Sequence, residues 1–122
     1  MESVFIRVIS NEQRKDELLE RLKTFCIENG LEFRITQDEP YWKIETHFEM
    51  SIDLYPSPVW NYGKWCEAYK FLFKQDFTIE WEENEDISLC YYPDFDDLNS
   101  YFVIFHIPSK KFFPKPSKTI RH

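Results

Sequence analysis

Two runs of residues in this 122-residue chain have types and spacing that could do chemistry. Glu45, His47 and Glu49 recur at every second position. On a strand such residues share one face, and an imidazole between two carboxylates can serve as a zinc or iron ligand set or an acid–base pair. The wet side of a half-buried strand carries the same pattern, and one histidine makes a thin metal set. Asp94-Phe95-Asp96-Asp97 gathers carboxylates more densely. A calcium loop needs D-x-[DN]-x-[DN]-G, but its fifth position here is Leu98 and no glycine follows. An aspartyl phosphatase places Asp-x-Asp after an apolar strand near the start of a large domain. Here the motif comes late in a short chain, behind Pro93. A glycosidase needs two acids facing across a cleft, which spacing alone does not supply. The motif fits a solvated or partner-facing loop better than any of these.

The other reactive side chains are scattered. Cys26, Cys66 and Cys90 contain no Cys-x-x-Cys, so zinc and dithiol redox chemistry have no support; buried thiols in a reducing cytosol are expected. With 2 glycines in the chain, a phosphate-cradling loop has no material. There is no Gly-x-Ser-x-Gly and no Cys–His pair of recognisable spacing. His106 sits inside an apolar run and reads as a hydrogen-bonded core histidine. Trp60-Asn61-Tyr62-Gly63-Lys64-Trp65 holds rings for a stacking surface, although Trp65 falls in helical register with Tyr69 and Leu72 and reads as core. No enzyme activity, cofactor or metal is expected from these residues.

Charge is distributed more tellingly. From Gln75 to Ser109 there is no Lys or Arg, while Asp76, Glu80, Glu82, Glu83, Glu85, Asp86, Asp94, Asp96 and Asp97 all fall there. Residues 1–107 carry 22 acids against 10 bases, a net of −12; the tail 108–122 adds Lys110, Lys111, Lys115, Lys118 and Arg121, and no acid. Such asymmetry points to a surface for a basic partner and away from nucleic acid, whose phosphates need neutralising. Aromatic residues interleave with the acids, as charged rims and ring anchors do at protein interfaces. The candidate partner-binding set is therefore Glu80, Trp81, Glu82, Glu83, Glu85, Asp86, Tyr91, Tyr92, Asp94, Phe95, Asp96 and Asp97, with Tyr101 flanking it.

Two helices and five or six strands must hold these residues. Val4, Ile6 and Val8 on one face, with Phe5 and Ile9 on the other, predict a central strand over 3–9. Ser10 and Gln13 form a capping box, and Leu18, Leu22, Phe25 and Cys26 give a helix over 11–29 closed by Gly30. Glu17 and Arg21 are expected as a pair on its wet side. A strand over 31–37 and a turn at 37–40 lead into the longest alternation, 42–54, with Trp42, Phe48, Met50, Ile52 and Leu54 on a dry face and Glu45, His47 and Glu49 on a wet one. Ser57 and Pro58 start a second helix, buried along Trp65, Ala68, Tyr69 and Leu72, that ends near Gln75. Strands over 77–82, 87–92 and 101–107 follow, and three prolines keep the tail extended and mobile. The reading is a single α+β domain over 1–107, a mostly antiparallel sheet with a ferredoxin-like β-α-β-β-α-β core plus extra strands, and a basic flexible tail. No secretory signal or spanning segment is visible, so a cytoplasmic protein without membrane contact is expected.

In size, acidity, cytoplasmic character and lack of a catalytic motif the chain resembles bacterial immunity proteins. The resemblance is compositional, runs over the whole chain, and carries over no individual residue. It implies a non-enzymatic inhibitor that neutralises a cognate contact-dependent or polymorphic toxin, often a nuclease, by covering its positively charged active site. The alternatives are a small ligand-binding or metal-dependent enzyme domain using the polar face of the 42–54 strand, and an adaptor whose tail docks elsewhere.

Overall fold

The computed structural model describes residues 3–55, 60, 62–81, 86–94 and 100–108. Among them the chain forms β1 (Val4–Asn11), α1 (Lys15–Asn29), β2 (Glu32–Pro40), β3 (His47–Tyr55), α2 (Tyr62–Phe73), β4 (Thr78–Trp81), β5 (Ile87–Tyr91) and β6 (Phe102–Ile107). The six described strands make one antiparallel sheet in the order β2-β3-β1-β6-β5-β4. The architecture is α+β in a single domain. The half β2-β3-β1 has the split β-α-β layout. After α2 the chain enters at the far edge as β4 and meanders back, so β6 takes the place beside β1. The doubly apolar composition of β1 and β6 fits their central positions.

Alternation decides which side chains meet the helices. Val4, Ile6 and Val8 of β1 lie opposite Leu54, Ile52 and Met50 of β3 and opposite or beside Phe105 and Val103 of β6. Leu18, Leu22, Phe25 and Cys26 of α1 and Trp65, Ala68, Tyr69, Leu72 and Phe73 of α2 close over this face in one core. Rings do much of the filling: Trp65, Tyr69 and Phe73 each pack against Phe105 at centroid distances of 5.9–6.4 Å. Burial of each such ring contributes roughly 1.5–3 kcal/mol, which explains a large share of the aromatic content.

Several local readings change in three dimensions. The N-cap of the first helical turn is Asn11, whose side chain accepts from Gln13 N–H, while Ser10 is buried and donates to Ser100 O. A 3₁₀ turn over Glu12–Arg14 precedes α1. Arg21 does not pair with Glu17 on a wet side; it turns inward to Leu72 O and the Tyr101 hydroxyl, and Arg14 holds Glu17 at 3.0 Å. The predicted turn at 37–40 is strand, because β2 absorbs Thr36 as a bulge between Ile35 and Gln37 and runs on to Pro40. The predicted strand over 42–54 begins only at His47; 42–46 is the connection of a β2–β3 hairpin, closed by Tyr41 N–H to His47 O at 2.9 Å and His47 N–H to Ile44 O at 3.1 Å. Alternation continued through that turn by composition alone. α2 ends at Phe73, where Lys74 turns left-handed, rather than near Gln75. The expected start of α2 at Ser57 and Pro58, and the tail from Ser109, lie outside the described residues.

Candidate functional site

Both helices pack on one side of the sheet, and among the described residues no second layer lies on its other side. Cross-strand register lists that face in rows. Asp53, Phe5 and His106 stand in line; so do Ser51, Arg7 and Ile104, and Glu49, Ile9 and Phe102. Beyond β6, His106 lies opposite Ser88 and Ser88 opposite Glu80, while Ile104 lies opposite Cys90. An apolar band crosses the end of the face where β6 begins: Ile9 beside Phe102, whose ring meets that of Tyr92 edge-on at 5.0 Å. Ile9 is buried, Phe102 and Ile104 are half-buried, and Tyr92 is 49% exposed. Polar pairs border the band. Arg7 Nε donates to Glu49 Oε2 at 2.9 Å, and its Nη2 meets the same oxygen. Arg34 lies 3.7 Å from Asp53. The Tyr92 hydroxyl donates to Glu80 Oε1 at 3.4 Å. Hydrogen bonding to Cys90, burial and the Glu80 carboxylate all push the Tyr92 phenol above its usual range, so it stays a neutral donor.

The expected partner set is only partly gathered here. Glu80 and Tyr92 meet on this face. Asp86 joins through His106, whose Nε2 lies 3.1 Å from Asp86 Oδ2. Tyr91 lies opposite Val103 and so belongs to the helix side. Tyr101, expected as a flanking surface ring, is fully buried; its hydroxyl receives Arg21 Nη2 and donates to Glu17 Oε1. Asp94 is exposed at the far end of β5 from Asp86. Six residue steps along strand at about 3.3 Å put the backbones of Asp86 and Tyr92 roughly 20 Å apart, so the described acids Asp86 and Asp94 lie at opposite ends of the strand. Trp81 is described through its backbone, paired with Ile87. Glu82, Glu83, Glu85, Phe95, Asp96 and Asp97 lie outside the described residues.

The Glu45–His47–Glu49 set is not assembled. Glu45 is exposed in the hairpin connection, off the strand. His47 and Glu49, expected to be wet, are each 6% exposed, because flanking side chains of β1 and β2 close over a central strand. Burial lowers the His47 pKa, and Thr46 Oγ1 lies 3.2 Å from its Nδ1. Among the described residues no group of three or more His, Cys, Asp or Glu side chains is placed to hold a metal ion. His106 is hydrogen-bonded as expected, but on the open face rather than in the core: Ser88 Oγ is 3.2 Å from Nδ1 and Asp86 is on Nε2. This Ser–His–Asp chain has the order of a hydrolytic relay with the ring nitrogens exchanged, since a relay sets serine on Nε2 and aspartate on Nδ1. Ser88 is also 3% exposed and lies on a strand laddered by β4 and β6, so among the described residues beside it the backbone N–H groups are taken up by the sheet. The chain fits a tether that fixes Asp86 to the sheet.

One exposed ring escaped the sequence reading. Trp42, assigned there to a dry strand face, is 80% exposed at the hairpin tip, with the Tyr41 ring at 6.3 Å and Lys43 Nζ over its own ring at 5.0 Å. The tip is anchored, since Glu12 N–H donates to Thr46 O at 2.9 Å and Lys15 Nζ reaches Asp38 at 2.7 Å. The Pro40 breaker was the available signal, had it been placed at the start of the turn instead of its end. Trp60 is half-buried against Phe25 and Trp65, in the groove between α1 and α2. No helix among the described residues is long and apolar enough to cross a membrane. No protein-family model, curated protein or solved structure matches this chain.

Proposed function

We propose that this chain is a cytoplasmic, non-enzymatic binding protein that inhibits a basic partner, acting as an immunity protein that covers the active site of a cognate toxin nuclease. The observation that carries the reading is the sheet face that no described element covers: an apolar band, Ile9–Phe102–Tyr92, bordered by carboxylates of which Glu80 is exposed. Rings in a charged rim give a partner both an anchor and an approach field; the charge speeds encounter and the rings slow escape. The acids would then stand in for the phosphates that a nuclease grips. The reading through the 42–54 strand has less support, since Glu45 has left the strand and Glu49 is committed to Arg7.

The test begins with capture from a lysate of the native organism, washed at low and then high salt. A single basic protein weakened by salt is the expected eluate. Reversing Glu82, Glu83, Asp96 and Asp97 to lysine then weakens its binding by about tenfold or more and flattens the salt dependence. Protection by that quadruple variant equal to wild type overturns the acid-surface mechanism.

A further inference from the structure

We infer that the groove between α1 and α2 is a binding site for a trimethylammonium head group, whose place is held at rest by the ammonium of Lys64. Helical spacing builds the groove. Phe25 and Glu28 fall three apart on α1, while Lys64, Glu67, Ala68 and Phe71 follow the i, i+3, i+4, i+7 pattern on one face of α2. Trp60 stands just before that helix. Where the two faces meet, these side chains line a groove of about 180 Å³. Ala68 is the small residue among them, and its short side chain leaves room that a larger one would fill.

Three observations set the ligand's chemistry. The first is the rings. Trp60 meets Phe25 almost at right angles with centroids 5.8 Å apart, and Phe71 lies 6.2 Å from Phe25. Phe25 is buried, but Trp60 and Phe71 are half-buried and keep ring surface for a ligand. The second is that these rings already carry cations. Lys64 Nζ sits 4.9 Å from the Trp60 centroid and Lys74 Nζ 5.4 Å from that of Phe71, within the range where a ring quadrupole attracts an ammonium. The third is charge. The carboxylates of Glu28 and Glu67 are exposed along the groove, where they favour a cation and offer nothing to a neutral apolar ligand. A lysine ammonium is compact and strongly hydrated, so Lys64 loses little by turning out to water. A trimethylammonium has the same charge but no N–H to satisfy, and its methyl groups bury against the rings. The exchange is cation for cation. The site lies in the helix layer, and its test contains no protein partner, so its outcome is independent of the partner reading.

The experiment titrates the ¹⁵N-labelled full chain with choline chloride and, separately, with Nα-acetyl-Nε-trimethyl-lysine amide, at constant ionic strength. Saturable shifts of the Trp60 indole N–H and of the amides of Phe25, Ala68 and Phe71 are expected, with a Kd on the order of millimolar. The two probes share the head group: tighter binding of choline assigns the site to a free amine, and tighter binding of the lysine derivative to a methylated protein side chain. Lys64→Ala removes the resident cation and is expected to tighten binding roughly two- to fivefold. Glu28→Gln with Glu67→Gln, at exposed positions that leave the core intact, is expected to weaken it by a similar factor. Shifts that never saturate, equal shifts with unmethylated Nα-acetyl-lysine amide, or binding by Lys64→Ala no tighter than wild type each overturn the inference.

Discussion

Glu49 is a charged residue that folding buries. Its side chain is 8% exposed and depends on the guanidinium of Arg7, which is 41% exposed. Removing the cation leaves a carboxylate desolvated without its charge-assisted donors. Arg7→Met is therefore expected to lower stability by roughly 2 kcal/mol in urea unfolding, the range for an unmet charged partner, and Glu49→Gln in the same chain should recover part of the loss. Equal losses in the single and double variants would show that Arg7 acts through packing alone. Trp42 is the opposite case. With four-fifths of its surface in water it has little to lose, so Trp42→Ala should change stability by no more than about 0.5 kcal/mol. A larger loss would mean that the hairpin tip packs against the fold.

At the level of elements, the two helices end in the same way with different residues. Gly30 follows α1 at φ +66°, with its N–H to Cys26 O, and Lys74 follows α2 at φ +54°, with its N–H to Lys70 O at 3.0 Å. A left-handed C′ position suits glycine and strains a residue with a Cβ. A Cβ on Gly30 would touch nothing within 4 Å, so only backbone strain is at stake. Gly30→Ala should cost about 1 kcal/mol, and Lys74→Gly should stabilise the protein by about 0.5 kcal/mol, offset in part by the Lys74–Phe71 contact it removes. Thermal unfolding of the pair checks both signs. The junction after α2 is held by Gln75, whose side chain both donates to Tyr101 O and accepts from Tyr101 N–H, pinning the entry of β6 to the end of the helix. That clamp positions Phe102, and through it Tyr92, on the opposite face.

For the whole molecule, buried titratable groups set a window of pH stability. His47 has its pKa lowered by burial, so the unfolded chain binds the extra proton first; stability falls as pH drops below about 6.5, the ordinary histidine value. On the alkaline side, burial raises the Cys26 thiol from 9.0 to about 11, and Tyr69 and Tyr101 are also raised by burial. The folded state then keeps protons that the unfolded chain has released. Stability declines above about pH 9, and Cys26 alone accounts for about 2–3 kcal/mol by pH 11. Denaturation midpoints across pH 5–11 should trace a dome with its plateau between about 6.5 and 9. A flat profile through pH 10 would show that Cys26 is solvated in the native state. The net charge of −7 is a separate matter, governing encounter with partners rather than the fold.

Periodicity and composition determined the element order, the α+β class and most of the core: Leu18, Leu22, Phe25, Trp65, Tyr69 and Leu72 are buried where helical spacing put them, since a 3.6-residue period admits one apolar face. The central character of β1 and β6 was legible for a similar reason, as apolar residues on both faces need neighbours on both sides. Three things were decided only by tertiary structure. The hairpin at 41–46 interrupts an alternation that runs straight through it in sequence; Pro40 marks a break there, but which backbone groups close the turn, such as Ile44 O, is settled only in three dimensions. The burial of His47 and Glu49 depends on which strands flank β3, and strand order is a long-range property. Of the acids that are described, Asp86 precedes β5 and Asp94 follows it, so residues close in sequence terms are separated by the length of a strand. What brings Glu80, Tyr92, Phe102 and Ile9 onto one surface is register across four strands, with its side-chain period of two, and no single stretch of sequence contains it.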